Sequence, residues 1–448
     1  MSNHWSKFIF LVVAIAYSSV LFGQDPETNS PYSRLGLGDL TNQHFSTLNG
    51  MGDLAAGYHN SFDMNMYNPA SLSYLRATAF EIGLHAKKAN LSNNGQNAQV
   101  WSGNLSYIAL GFPMRNPRNE VLDRVDTKIH WGMGFSLSPY SNVGYFVETE
   151  ETRPSIDTIL YSYVGDGGTY KFRWANSVRY KNFSAGLMMG YFFGSIDFQS
   201  DVDFQSIGSS YKNLFEDRIK MGGFIWNLGV QYDYYLPIRK GERSSQRRFT
   251  FGAYGNPAST FNTKSSQLRR RSNPDYSVGI GDSVDTLRNV TDLEGSGKLP
   301  AELGIGFVYT EINKWRAGVN YDFVGWSGYE NDAKPETLTD SWRLSIGGEY
   351  IPDNRSYNNF FKKMRYRAGA FYGKDPRSDG FNKQLTNYGI TLGLGIPIIL
   401  RQQNVSFVNF AFEMGQLGTE NSLQENYYKL TVGFTLNDDF WFFKRKFN

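Results

Sequence analysis

The chain has 448 residues, with 45 Lys plus Arg against 42 Asp plus Glu and no cysteine. Near-balanced charge argues against a nucleic-acid partner, which would demand a basic excess or a clustered basic face, and the missing thiols remove disulfide frameworks, thiolate metal sites and a lipidated N-terminal cysteine. With 34 Phe, 29 Tyr, 9 Trp and 46 Gly at a mean hydropathy of −0.44, the chain is rich in aromatics and glycine without being hydrophobic, and no apolar run of the roughly 20 residues that a membrane helix needs follows the N-terminus.

At that N-terminus Lys7 precedes an apolar stretch from Phe8 to Phe22, closed by Gly23 and Gln24. This layout predicts a cleavable export signal over residues 1–23. An exported chain without membrane helices is either soluble or a closed barrel, since only helices and closed barrels satisfy every backbone group in lipid. Residues 24–76 come next. They do not alternate, they carry the turn-formers Gly36, Gly38, Gly50, Gly52 and Gly57, and they are too few for a domain of their own. A segment with no face for lipid cannot be wall, so the expectation is a plug inside the lumen.

From residue 77 the pattern changes to period two. Fourteen strands are predicted, near 77–87, 101–113, 127–140, 167–180, 183–194, 218–236, 248–257, 298–311, 313–326, 339–351, 363–373, 386–398, 403–416 and 425–436. In one of them Trp315, Ala317, Val319, Tyr321 and Phe323 face one way while Arg316, Gly318, Asn320 and Asp322 face the other. The last strand alternates Tyr428, Leu430, Val432, Phe434 and Leu436 with Lys429, Thr431, Gly433 and Thr435. Strand lengths match the about 9 to 11 residues of a transmembrane strand, with aromatics such as Trp131, Phe183 and Tyr191 near the ends, where a soluble sandwich would use about five or six. The fold class is therefore all-β, an antiparallel transmembrane barrel over residues 77–436, with twelve or sixteen strands as the neighbouring counts. Parity puts the tight connection at Lys181–Asn182 in the periplasm and the long stretches 141–166 and 256–297 outside. The run Arg269, Arg270, Arg271 then falls in the longest outer loop, solvated or touching lipopolysaccharide phosphates. Residues 437–448 form an aromatic and basic tail suited to a membrane interface, and Phe447 resembles the terminal aromatic by which barrel-assembly machinery recognises its clients.

The order of Asn29-Ser30-Pro31-Tyr32-Ser33-Arg34, Gly50-Met51-Gly52 and Asn68-Pro69-Ala70-Ser71-Leu72 before the first strand resembles the FadL/TodX family of outer-membrane transporters. The resemblance implies a fourteen-strand barrel plugged by an N-terminal hatch to which Asn68, Pro69 and Ala70 belong. It implies hydrophobic ligands, such as long-chain fatty acids, membrane lipid or detergent-like molecules, leaving sideways where the third strand kinks. In this chain that strand is Lys128 to Tyr140. Gly132, Gly134 and Pro139 either mark such a wall break or simply make room for the plug.

Alternation turns His130, Arg316, Asp322, Arg343, Glu349, Arg365, Arg367 and Lys429 inward. These charges either pair with Arg34, Asp39, Asp53 or Asp63 of the plug or line a path for polar solutes. His130 could act as a general base, but no catalytic triad, phosphate loop or helical zinc pair emerges from the spacing, and neither metal nor cofactor is expected. The leading reading is transport of hydrophobic compounds across the Gram-negative outer membrane through the plugged barrel; the alternative is a non-transporting structural or assembly subunit with outer-membrane protein partners.

Overall fold

The computed structural model describes residues 30–448 except 94, 125–126, 154–156, 205–210, 242–245, 273–282, 357, 400–404, 421 and 442–448. The expected export signal and most of the expected tail lie outside the described residues. Alternation resolves into one antiparallel sheet of eighteen strands. Two of these, β1 (Asp39–Leu40) and β13 (Glu330–Asn331), are only two residues long. The wall begins with β2 (Thr78–Asn93), β3 (Gln96–Pro113), β4 (Ile129–Arg153), β5 (Asp157–Tyr180), β6 (Phe183–Phe204) and β7 (Lys212–Tyr235). β8 (Arg247–Asn256) and β9 (Ser259–Ser272) are lower and upper parts of one crossing. β10 (Ser283–Leu299) and β11 (Glu302–Glu311) are likewise one crossing. Pro257 and Pro300, which have no N–H to give a ladder, sit at the two breaks. β12 (Trp315–Val324), β14 (Ser341–Tyr350), β15 (Arg365–Ser378), β16 (Gln384–Ile399), β17 (Val405–Gly418) and β18 (Gln424–Asp438) complete the wall. With the two short strands set aside and each broken crossing taken once, fourteen crossings remain, as the alternation predicts. The last strand closes on the first, from Gln424 opposite Ser92 to Asp438 opposite Thr78.

The outward face is a band of apolar side chains. On β5 it runs through Tyr180, Val178, Trp174, Phe172 and Tyr170, all exposed, with tyrosines at both ends as a membrane wall requires. Among the described residues no helix is long and apolar enough to cross a membrane.

One side of the barrel is taller than expected. The stretches read as outer loops, 141–166 and 256–297, are largely strand: β4 has 25 residues and β5 and β7 have 24 each. Arg269, Arg270 and Arg271 lie on β9, not in a loop. Arg269 makes paired hydrogen bonds of 2.8 and 2.9 Å to Asp217, and Arg270 meets Glu216 at 3.2 Å, so two of the three charges are already matched. The tall side packs its inner face, including Val143, Tyr145, Phe192 and Phe261, against Trp326, Tyr329 and Leu37.

Pairing along the wall is uneven at one place. β3 and β4 match only from Pro113 opposite Gly132 to Ile108 opposite Leu137. Beyond that point each strand continues, β3 along β2 as far as Gln96 and β4 along β5 as far as Arg153, but not along each other. Against the freed edge of β4 lies β1, with Asp39 opposite Asn142 and Leu40 opposite Ser141, and the Thr41 N–H donates to the Tyr140 carbonyl at 2.9 Å.

Candidate functional site in the lumen

Residues 30–77 pack against the inward-facing side of the wall strands, and most of their side chains are buried. Little of this segment is regular. It holds 3₁₀ turns at Pro31–Arg34 and Pro69–Tyr74 and the one-turn helix α1 (Ser46–Asn49), so its backbone groups need partners from the wall. Side chains supply them. Asn320 accepts from the Ala56 N–H at 2.8 Å, Thr391 from the Gly52 N–H at 3.0 Å, and the Gln231 amide donates to the Ala56 carbonyl at 2.8 Å.

Such contacts require backbone lying directly on the wall, and lumen-facing glycines allow it. A Cβ at Gly252 would stand 1.8 Å from the Ala56 oxygen, and one at Gly132 2.0 Å from the Leu72 oxygen. At Gly347 it would stand 2.2 Å from the Met51 oxygen, and at Gly186 2.5 Å from the Pro69 carbonyl carbon. Because side chains alternate across a strand, these glycines occupy positions that would otherwise project inward.

Asn68, Pro69 and Ala70 sit at one of these contacts. The Asn68 side chain caps the following turn by accepting from the Ala70 N–H at 3.1 Å, and its amide reaches the Ala56 carbonyl at 2.8 Å and the Val230 carbonyl of β7 at 3.2 Å. Pro69 opens the turn, where its missing N–H costs nothing. The Ala70 carbonyl accepts from Ser177 of β5 at 2.7 Å.

Inward charges form defined pairs. Arg343 meets Asp53 at 2.5 Å, Arg365 meets Asp63 at 2.7 Å, and Arg377 bonds Asp39. Three acids of the lumenal segment are thus each held by a wall arginine. Arg34 makes no such pair among the described residues; it lies over the Tyr163 ring. Glu349, with almost no exposed surface, takes Arg367 at 2.8 Å and Arg316 at 3.2 Å, and Arg367 also donates to Asn409 at 2.8 Å. Asp322 accepts from the Tyr254 hydroxyl and from Asn320.

His59, in the lumenal segment, belongs to a further network that spacing did not reveal. Its Nδ1 lies 3.3 Å from the Arg248 guanidinium and its Nε2 3.1 Å from the Asp233 carboxylate. An arginine only donates, so Nδ1 accepts and Nε2 carries the proton given to Asp233. The ring stacks on Tyr74 at 3.5 Å. Burial, with Arg248 adding to it, pushes this imidazole down to about 4.

The remaining expected residues are spread along β4. His130 is half-buried opposite Arg179 near the periplasmic end. Gly132 and Gly134 lie within the paired part of β3 and β4, under Leu72, and Pro139 lies just past the last pair. Among the described residues no cluster of His, Asp or Glu is placed to hold a metal. Beside the Arg343 and Arg377 ion pairs is a cavity of about 310 Å³ whose lining mixes charged side chains such as Lys87, Glu413 and Lys429 with apolar ones such as Trp342, Phe371 and Leu417.

Among solved structures the chain is similar to a Pseudomonas aeruginosa FadL homologue, with 13% identity over 90% of this chain and 99% of that one and a TM-score of 0.54. It is also similar to a TodX deltaS2S3 mutant monoaromatic hydrocarbon channel, with 14% identity, coverages of 88% and 98%, and a TM-score of 0.51. At such identities the likeness speaks for the fold, a FadL/TodX-type barrel of the Gram-negative outer membrane. No curated protein matches the sequence. A sequence model of one family, described as BamG, matches residues 6–448.

Proposed function

The chain belongs to the BamG family, and from that premise we propose that it is a closed, non-conducting barrel serving as a structural subunit of an outer-membrane protein assembly, with the barrel-assembly machinery as the partner that the family name suggests. The observation that carries this reading is the set of ion pairs between the lumenal segment and the wall. Three acids of the plug are tied to Arg343, Arg365 and Arg377 across the lumen, and breaking one buried pair by removing a partner costs about 3–5 kcal/mol. An apolar cargo crossing this lumen would have to separate such pairs and offer nothing in exchange. On this reading Asn68, Pro69 and Ala70 anchor the plug, Gly132 and Gly134 give it room, and Arg316, Arg343, Glu349, Arg365 and Arg367 hold it.

A second reading, transport of hydrophobic compounds such as long-chain fatty acids, is favoured by one observation, the parting of β3 and β4 past Ile108 and Leu137 next to Pro139. A ligand using that exit would bypass the ion pairs. Native mass spectrometry of the barrel, gently extracted from its own membrane, separates the two. The assembly reading expects protein partners in fixed stoichiometry and no stoichiometric lipid in the lumen. A partnerless barrel carrying one fatty acid or similar molecule per chain would overturn it in favour of transport.

A further inference from the structure

From the same parting of the wall we infer that the free edge of β3, from Trp101 to Tyr107, is a docking site for one extended strand of a second outer-membrane chain. This inference rests on the assembly reading and names where that assembly makes contact.

The argument starts from the backbone. Between Ile108 and Gln96, β3 has a ladder on one side only, to β2. Among the described residues no backbone of the wall or the lumenal segment pairs with its other side. β4 is not left in the same state, because β1 lies against it at Ser141 and Asn142. The seam therefore already accepts one extended segment, and it has done so on β4 alone. On β3 the Leu105 N–H is met by the neighbouring Asn104 side chain, at 2.6 Å.

Depth decides what this costs. Tyr170 on one flank of the seam and Trp101 on the other are exposed rings at the outer ends of the apolar band, and Trp101 is 62% exposed with Lys88 over its face at 5.2 Å. Aromatics beside a lysine mark the level of the head groups. The edge between Trp101 and Ile108 therefore runs beside the outer leaflet. There an unsatisfied N–H or carbonyl costs several kcal/mol, and lipid tails cannot supply the missing partners. A single extended strand can, since its backbone donors and acceptors recur with the same spacing as those of β3. Exposed edges of this kind are the template on which added strands form.

The chain lacks cysteine, so introduced cysteines report alone. A photoreactive residue placed singly at Trp101, Gly103 and Leu105, in the full chain in its own membrane, should give adducts to one segment of one partner. The attachment site should move two residues along that segment for each two-residue step on β3. Adduct yield should exceed that from a probe at Leu392, on the lipid face of the fully paired β16, by roughly tenfold, the ratio that a net backbone hydrogen bond would give. Adducts to lipid alone, scattered attachment sites, or no adduct would overturn the inference. So would ready disulfide formation in an Asn104→Cys/Ser141→Cys variant, whose two positions face each other only if the β3 and β4 ladder continues upward and closes. Partners that copurify while the edge yields no stepped adducts would sink this inference and leave the assembly reading standing; the absence of any partner would sink both.

Discussion

The lumenal segment meets the wall in two different ways. Around its waist it is held by side chains and by close contact, with arginines on acids and glycines under its backbone. At the seam backbone pairing is added, as the two-residue strand β1 beside β4, with Asp39 of that strand also bonded to Arg377. The first kind of contact is spread over many strands and fixes one position, since several ion pairs and close backbone contacts must match at once. The second is local and generic, because any extended segment could take it. On the assembly reading, a segment fixed at the waist and paired at the seam suits a closed barrel with one adaptable edge.

The waist should break first and hardest where its glycines are filled. Gly252→Val places a branched side chain where a Cβ alone would stand 1.8 Å from the Ala56 oxygen. Backbone cannot yield as a side chain would, so the loss should exceed the about 1–3 kcal/mol of ordinary overpacking. Semi-native electrophoresis should show little heat-modifiable folded barrel, while Leu392→Ala on the lipid face leaves the folded band near wild-type intensity. Equal behaviour of the two variants would mean that the waist is not the tight contact.

Next in size is Glu349→Ala. It leaves Arg316 and Arg367 buried beside an empty site, and a stranded buried charge costs about 3–5 kcal/mol. Urea unfolding in micelles should register that loss, with much of it recovered in Glu349→Ala/Arg367→Met, where the more deeply buried of the two charges goes as well. A single variant within about 1 kcal/mol of wild type, on the scale of an exposed ion pair, would show that the triad is screened.

How much of this was visible in the sequence differs between the wall and its interior. The membrane belt was legible because lipid on one side and the lumen on the other force contrast at every second residue, as in Trp315 to Val324. Above the membrane both faces meet water or protein. Val147 to Arg153 therefore reads Val-Glu-Thr-Glu-Glu-Thr-Arg without a face, and nothing in its pattern separates strand from loop. The inward direction of Arg343 and Arg365 followed from alternation. Their acid partners did not, since Asp53 and Asp63 sit in irregular chain whose path no periodicity encodes. Glycine at inward positions of neighbouring strands, as at Gly132, Gly186, Gly252 and Gly347, was a signal available from alternation, pointing to backbone packed against the wall. The seam was harder, because a ladder that ends at Ile108 depends on where β4 turns, and neighbouring strands leave no mark of their pairing in either sequence.

Acid should loosen the waist through His59. Its imidazole sits near 4 in the folded chain against an ordinary value of about 6.5, so as pH falls the unfolded chain takes up the proton first. The stabilisation is complete above about 6.5 and disappears progressively toward 4, amounting at most to about 3 kcal/mol. Unfolding midpoints measured between pH 7 and 4 should fall less steeply for His59→Gln than for wild type. Parallel slopes would assign the acid sensitivity to other groups.

The smallest effect belongs to the seam. Thr41→Pro deletes the N–H that bonds the Tyr140 carbonyl and changes nothing at the waist. One net backbone hydrogen bond is worth about 0.5–1.5 kcal/mol, so global unfolding should shift by no more than that. The local consequence should be larger than the global one, because the β1 ladder has only two residues and, apart from it, the Asp39 ion pair with Arg377 to hold its place. Hydrogen exchange at Ser141 and Asn142 should quicken while amides around Gly252 and Gly347 keep their protection, which is the separation between a generic backbone contact and a fixed one. If both sets of amides quicken together, seam and waist form one cooperative unit, and the adaptable edge has no independence from the plug.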